Sequence, residues 1–122
     1  IVTVPGNEPD RVEAFRDLGV EIIEADPNET GLPDMKEALR LLAEKGITRL
    51  LVEGGSHLQA SLVKEGLADR LLWFRAPKII GGDGISALQS IGLKDVSEAP
   101  VLELAGTRLL GDDRLECYLL RN

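Results

Sequence analysis

The sequence predicts an α/β fold in which a mostly parallel sheet, with helices on both faces, ends in an antiparallel C-terminal hairpin. Three observations carry this: capped helical segments, short apolar runs between them, and a change of pattern after residue 69. At 122 residues the chain is one domain by length, 1–122, long enough to bury a core.

The helical segments share one grammar. "DRVEAFRDLGV" opens at Asp10, carries Glu13 three residues on, and stops at Gly19 before Val20. "DMKEALRLLAEKGI" opens at Asp34, carries Glu37, and stops at Gly46 before Ile47. "SHLQASLVKEGL" opens at Ser56, carries Gln59, and stops at Gly66 before Leu67. A capping oxygen followed by an acid or amide at N3 is the capping box, and glycine before an apolar residue is the left-handed C-terminal stop. Met35, Ala38, Leu39 and Leu42 fall on one stripe of a helix.

The runs "IVTV", "VEIIE" and "RLLVE" read as strands of βαβ units, with "LLV" apolar on both sides as a central strand would be. "RLLWFRAPKIIGG" is strand-like until Pro77, which implies an edge, a bend or a bulge. "GGDGISALQSIGL" reads as loop with one helical turn. "VLELAGTRLLGDDRLECYLL" reads as a hairpin about Gly111-Asp112-Asp113, its second arm alternating Leu115, Cys117, Leu119 with Glu116, Tyr118, Leu120.

Hydrophobic residues make up 43% and charged residues 29%, the composition of a globular domain. A net charge of −7 with scattered Lys and Arg argues against a nucleic-acid surface. No apolar run approaches the ~20 residues of a membrane span. No basic region followed by an apolar one opens the chain, so no secretory signal is read and a cytoplasmic setting is expected. The chain starts directly in the strand "IVTV", which reads as a cut within a longer domain. A single cysteine, Cys117, excludes an internal disulfide and reads as a small apolar residue of its strand. With one Cys and one His, no metal cluster is expected.

Chemistry concentrates in "LLVEGGSHLQ". Ligands of open α/β sheets bind outside the carboxyl ends of the strands, where Glu53 closes its run. Gly54 and Gly55 let backbone N–H groups approach a ligand, and the helix start after them favours an anion, naturally a phosphate or pyrophosphate. The alternative is a plain strand-to-helix turn with Ser56 as its cap. His57 reads as a solvated side chain. A carboxylate closing a central strand needs a partner or a function, which singles out Glu53. The three glycines around Asp83 read as a flexible connection or as a lid or interface loop, and Trp73 and Phe74 as core or dimer contacts.

Residues 50–88, "LLVEGGSHLQASLVKEGLADRLLWFRAPKIIGGDGISAL", strongly resemble the reductase domain of the bifunctional riboflavin-biosynthesis deaminase–reductase. That family carries Glu-Gly-Gly at a strand end, a helix, a "GL-D" element matched by Gly66, Leu67 and Asp69, and a strand running into "APK" and "GG", matched by Ala76, Pro77, Lys78, Gly81 and Gly82. "IGLKDVSEAPVLEL" and the final hairpin are also similar, so the matched motifs span residues 50–121.

The resemblance implies a dihydrofolate-reductase-like fold and NADPH-dependent reduction of 5-amino-6-(5-phosphoribosylamino)uracil to its ribitylamino product. It implies that Gly54, Gly55 and Ser56, with His57, Leu58 and Gln59, cradle the cofactor's pyrophosphate. Glu53 would face the substrate, and Thr3 would lie near the adenosine ribose and its 2′-phosphate. It assigns no catalytic proton donor among these residues. The family's pair of Thr or Ser after the first strand is replaced here by Thr3-Val4, and no obvious arginine follows to grip a 2′-phosphate. The resemblance further implies a homodimer and an N-terminal zinc deaminase domain, whose His/Cys/Cys site this chain cannot supply. The upstream half of the reductase domain would precede residue 1, and the chain alone is expected to lack reductase activity. Two rival functions stand beside this one: a dihydrofolate- or pterin-type reductase, in which an apolar residue usually precedes the double glycine, and a non-catalytic nucleotide-binding or assembly domain of the same fold.

Overall fold

The computed structural model describes residues 1–121 as two compact units, Ile1–Leu51 and the residues from Val52 onward. In the first unit, β1 (Val2–Thr3) pairs in parallel with β2 (Ile23–Glu24), Val2 beside Ile23 and Thr3 beside Glu24. Helix α1 (Pro9–Asp17) makes the crossover, and α2 (Met35–Glu44) follows β2. Ala25 and Ala38 are the buried apolar residues of this unit.

The α2 cap forms as its sequence dictates. The Asp34 carboxylate accepts a hydrogen bond from the Glu37 amide at 2.9 Å. The Glu37 side chain does not reach back to the cap and pairs instead with Arg40, one turn on. At the other end the Gly46 amide bonds the Ala43 carbonyl at 2.9 Å and the Ile47 amide bonds Leu42 at 3.1 Å, the paired closure that needs a left-handed residue, here Gly46 at φ +84°. The same pair of bonds closes α1 at Gly19 and Val20, and α3 (Ser56–Lys64) at Gly66 and Leu67.

The expected cap of α1 is corrected. The helix begins at Pro9, with Glu8 as its cap and no side-chain capping bond, so Asp10 sits inside the first turn. Proline is suited to the first helical position because it has no N–H to satisfy and its φ is already helical. As an acid in the first turn, Asp10 still complements the helix dipole.

The second unit contains α3 and a three-stranded antiparallel sheet of β3 (Arg70–Arg75), β4 (Leu102–Leu110) and β5 (Asp113–Leu120) in the order β3-β5-β4. β4 and β5 are joined by the two residues Gly111 and Asp112, one fewer than the sequence suggests. β5 is central, and residues 115–120 along it are half-buried, whereas β4 is an edge strand exposed throughout. β3 ends two residues before Pro77, which cannot donate to a ladder. Ala60 and Leu62 of α3 are the buried apolar residues here. Residues between β3 and β4 form a long connection with two short 3-10 turns, Gly81–Asp83 and Val96–Glu98.

One expected strand is absent among the described residues. The run "RLLVE", ending at Glu53, has no ladder partner and forms no strand, leaving Leu50 and Leu51 exposed, Leu51 at 69%. An apolar run of this length becomes a strand only when a neighbour takes up its N–H and C=O groups. Among the described residues the strands form two sheets, not one mostly parallel sheet: β1 and β2 pair in parallel, and β3, β5 and β4 pair antiparallel.

Candidate functional site

The sequence-predicted residues fall in both units. In the second unit Glu53, Gly54 and Gly55 form the turn into α3, all three exposed. The argument that Glu53 is a carboxylate forced to close a buried strand does not apply, because the residue lies outside any strand and in water. No desolvation cost requires a partner there.

The turn is built by Gly55, the N-cap of α3, at φ +66° and ψ 123°. This conformation is closed to residues with a Cβ, so glycine is required by the backbone itself. A Cβ at Gly54 or Gly55 would meet no atom within 4 Å, so the space over both backbones is open to a ligand. Ser56 is therefore the first helical residue, not the cap, and no side chain caps the helix.

A helix start leaves up to four N–H groups unpaired. Here the Gln59 amide bonds the Gly55 carbonyl at 3.2 Å, while the amides of Ser56, His57 and Leu58 have no acceptor among the described residues. Of the predicted cradle, Gln59 thus contributes no spare backbone donor. His57 and Leu58 are exposed, and Ser56 and Gln59 are half-buried. The first turn of α3 contains no acid, in contrast to Asp10 in α1 and Glu37 in α2. Three unpaired donors, the dipole and two bare glycine backbones make a start suited to an anion in a chain whose net charge is negative.

Sequence reasoning missed Gln89. Its side-chain amide donates to Ser56 Oγ at 3.2 Å, and its backbone N–H donates to the Ser56 carbonyl at 3.2 Å. A glutamine 33 residues from Ser56, inside a loop without periodicity, carries no sequence signal of such a contact.

In the first unit Thr3 ends β1, and its hydroxyl accepts from Asn7 Nδ2 at 3.2 Å, while the same amide also bonds the Val4 carbonyl. Thr3 and Asn7 line an open concavity of about 220 Å³ together with Arg11, Val12 and Phe15 of α1, Ile1 and Ile22. Arg11, eight residues after Thr3, lines the same concavity. Among the described residues no three His, Cys, Asp or Glu side chains are grouped to hold a metal ion.

The RibD C-terminal domain family matches residues 1–115. This chain belongs to that family. A riboflavin biosynthesis protein RibD from Actinobacillus pleuropneumoniae is 30% identical over 98% of the chain, which spans 32% of that relative. The 2,5-diamino-6-ribosylamino-4(3H)-pyrimidinone 5′-phosphate reductase of Methanothermobacter thermautotrophicus is 32% identical over 93% of the chain, 51% of its own length. The fold is shared with a pyrimidine reductase-like protein from Corynebacterium diphtheriae, at a TM-score of 0.75 and 20% identity over 99% of this chain and 48% of that one. Acinetobacter baumannii RibD superposes with a TM-score of 0.73 over 89% of this chain and 29% of its own. The chain thus spans about a third of its RibD relatives and about half of the shorter reductase.

Proposed function

We propose that this chain is the cofactor-side part of a reductase domain of riboflavin biosynthesis, acting with NADPH on 5-amino-6-(5-phosphoribosylamino)uracil. The observation that carries the reading is the start of α3 in a RibD C-terminal domain: Gly55 at φ +66°, followed by three unpaired amides. A cofactor pyrophosphate needs N–H donors and a backbone it can approach closely, and Gly54, Gly55, Ser56, His57 and Leu58 meet both requirements. A nicotinamide cofactor supplies hydride when bound.

This chain's residues bind and orient. The amides after Gly55 neutralise phosphate charge without a buried cation. In the first unit, the Arg11 guanidinium and the Thr3 hydroxyl, which accepts from Asn7 and keeps its own proton free, are donors suited to a phosphate monoester such as a ribose 2′-phosphate, which supports NADPH over NADH. Glu53, exposed beside the double glycine, is suited to bind substrate hydroxyls or to orient the carbon that accepts hydride. The substrate class is that in the name of the Methanothermobacter relative. A homodimer and a zinc deaminase domain elsewhere in the protein belong to the same reading; Phe74 at 64% exposure on β3 suits a subunit contact.

The test is turnover by the full-length protein carrying this chain. Oxidation of NADPH, followed at 340 nm, is expected on adding the phosphoribosylamino substrate and not on adding dihydrofolate. Oxidation with dihydrofolate, or none with either, overturns the reading.

A further inference from the structure

We infer that Gln89 is a positioning residue for the anion cradle, holding Ser56 so that its hydroxyl proton points outward to a phosphate oxygen. The inference rests on the reading of the α3 start as a cofactor site and deepens it.

The observation is a pair of bonds between distant segments. Gln89 donates from its side chain to Ser56 Oγ and from its backbone to the Ser56 carbonyl, both at 3.2 Å, with both residues half-buried. A serine hydroxyl has one proton to donate and lone pairs to accept with, whereas a glutamine NH2 only donates. Because Gln89 meets Oγ as a donor, the hydroxyl is fixed as acceptor on that side and its own proton must go elsewhere. Ser56 does not cap its helix, and its Oγ–H has no acceptor among the described residues. Placed directly after Gly55, that proton adds a fourth donor beside the amides of Ser56, His57 and Leu58. The backbone bond fixes the first helical residue in position, so the connection between β3 and β4 is tied to the site at one point.

The test is NADPH binding, followed by fluorescence of the dihydronicotinamide, in the full-length protein and in S56A, Q89A, S56A/Q89A, Q89E and G54A. Loss of a hydrogen bond to a charged phosphate oxygen predicts roughly tenfold or more weaker binding for S56A, and loss of the neutral Gln89–Ser56 bond roughly fivefold for Q89A. The double variant should bind no more weakly than S56A, since Gln89 acts through Ser56. Q89E keeps the shape but turns the donor into an acceptor that captures the hydroxyl proton, so it should bind more weakly than Q89A while melting within a few degrees of wild type. In Q89A, with cofactor saturating, kcat should be unchanged and the loss confined to KM for NADPH. Additive losses in the double variant, or Q89E binding as wild type does, overturn the inference. If G54A weakens binding and Q89A does not, this inference alone fails. If neither does, the cofactor site itself is misplaced and the inference falls with it.

Discussion

Arg75 and Arg114 face each other directly across the β3–β5 ladder, and the carboxylate of Glu116 lies within 3.2 Å of the first and 3.8 Å of the second. Like charges opposite one another destabilise a pair of strands. Glu116, only 14% exposed and two residues along β5 on the same face, offsets that repulsion. E116Q should therefore destabilise the protein by about 0.5–1.5 kcal/mol. Urea unfolding would show this as a lower midpoint at unchanged slope, with part of the loss recovered in high salt. Equal midpoints for the two proteins would mean that the arginines are adequately solvated alone.

The same carboxylate accepts a hydrogen bond from the Tyr118 hydroxyl at 3.1 Å. That bond, then burial, then the charge of Glu116 raise the Tyr118 pKa above its ordinary 10.0, against the opposing effect of Arg75. With the folded value above the unfolded one, the contribution to stability is complete below pH 10.0 and is lost as pH rises through the folded value. As pH rises above the ordinary phenol value of about 10, wild type should lose stability more steeply than Y118F. Parallel pH profiles for the two proteins would remove the Glu116–Tyr118 bond as the cause.

Among the described residues, Asp34 is the one α-helix cap whose side chain performs the role its position suggests. D34A should cost about 1 kcal/mol, with D34S recovering most of it. Circular dichroism during thermal unfolding is the measurement, and D34A melting with wild type would show that water caps α2 equally well.

Gly54 and Gly55 should separate steric from conformational requirements. G55A places a Cβ on a backbone at φ +66° and should cost about 1–2 kcal/mol of stability, although that Cβ would touch nothing. G54A has open space and no positive φ, so its melting temperature should match wild type while NADPH binding weakens tenfold or more. Unaltered binding in G54A would mean that no ligand approaches that backbone.

For Glu53 the prediction is kinetic. E53Q in the full-length protein should lower kcat/KM at least tenfold, about 1.4 kcal/mol of transition-state stabilisation, with no change in melting because the side chain is exposed. An assembly domain would show no such loss.

Helix stops and the start of α2 were legible because they are local. Asp34 and its N3 amide are three residues apart, and each C-terminal glycine closes bonds to the turn just before it. Gly54-Gly55 before a helix was legible for the same reason: a backbone turn and unpaired amides follow from adjacent residues. The motifs from residue 50 onward, read together, were enough to suggest the family that the comparisons then showed.

Whatever depends on a partner far along the chain was not legible. "RLLVE" has the composition of a buried strand, yet a strand is a pairing, and no neighbour among the described residues supplies one. Pro9 displaced Asp10 as the point where α1 begins, a competition between two acceptable starts that local pattern does not rank. Gln89 on Ser56 and Glu116 between two arginines are contacts made by tertiary placement. Local sequence decided where the helices stop, where α2 is capped and where the chain turns, because bond geometry over a few residues decides those. Tertiary placement decided which strands pair and which distant side chains meet, because those energies arise between residues that the chain separates by tens of positions.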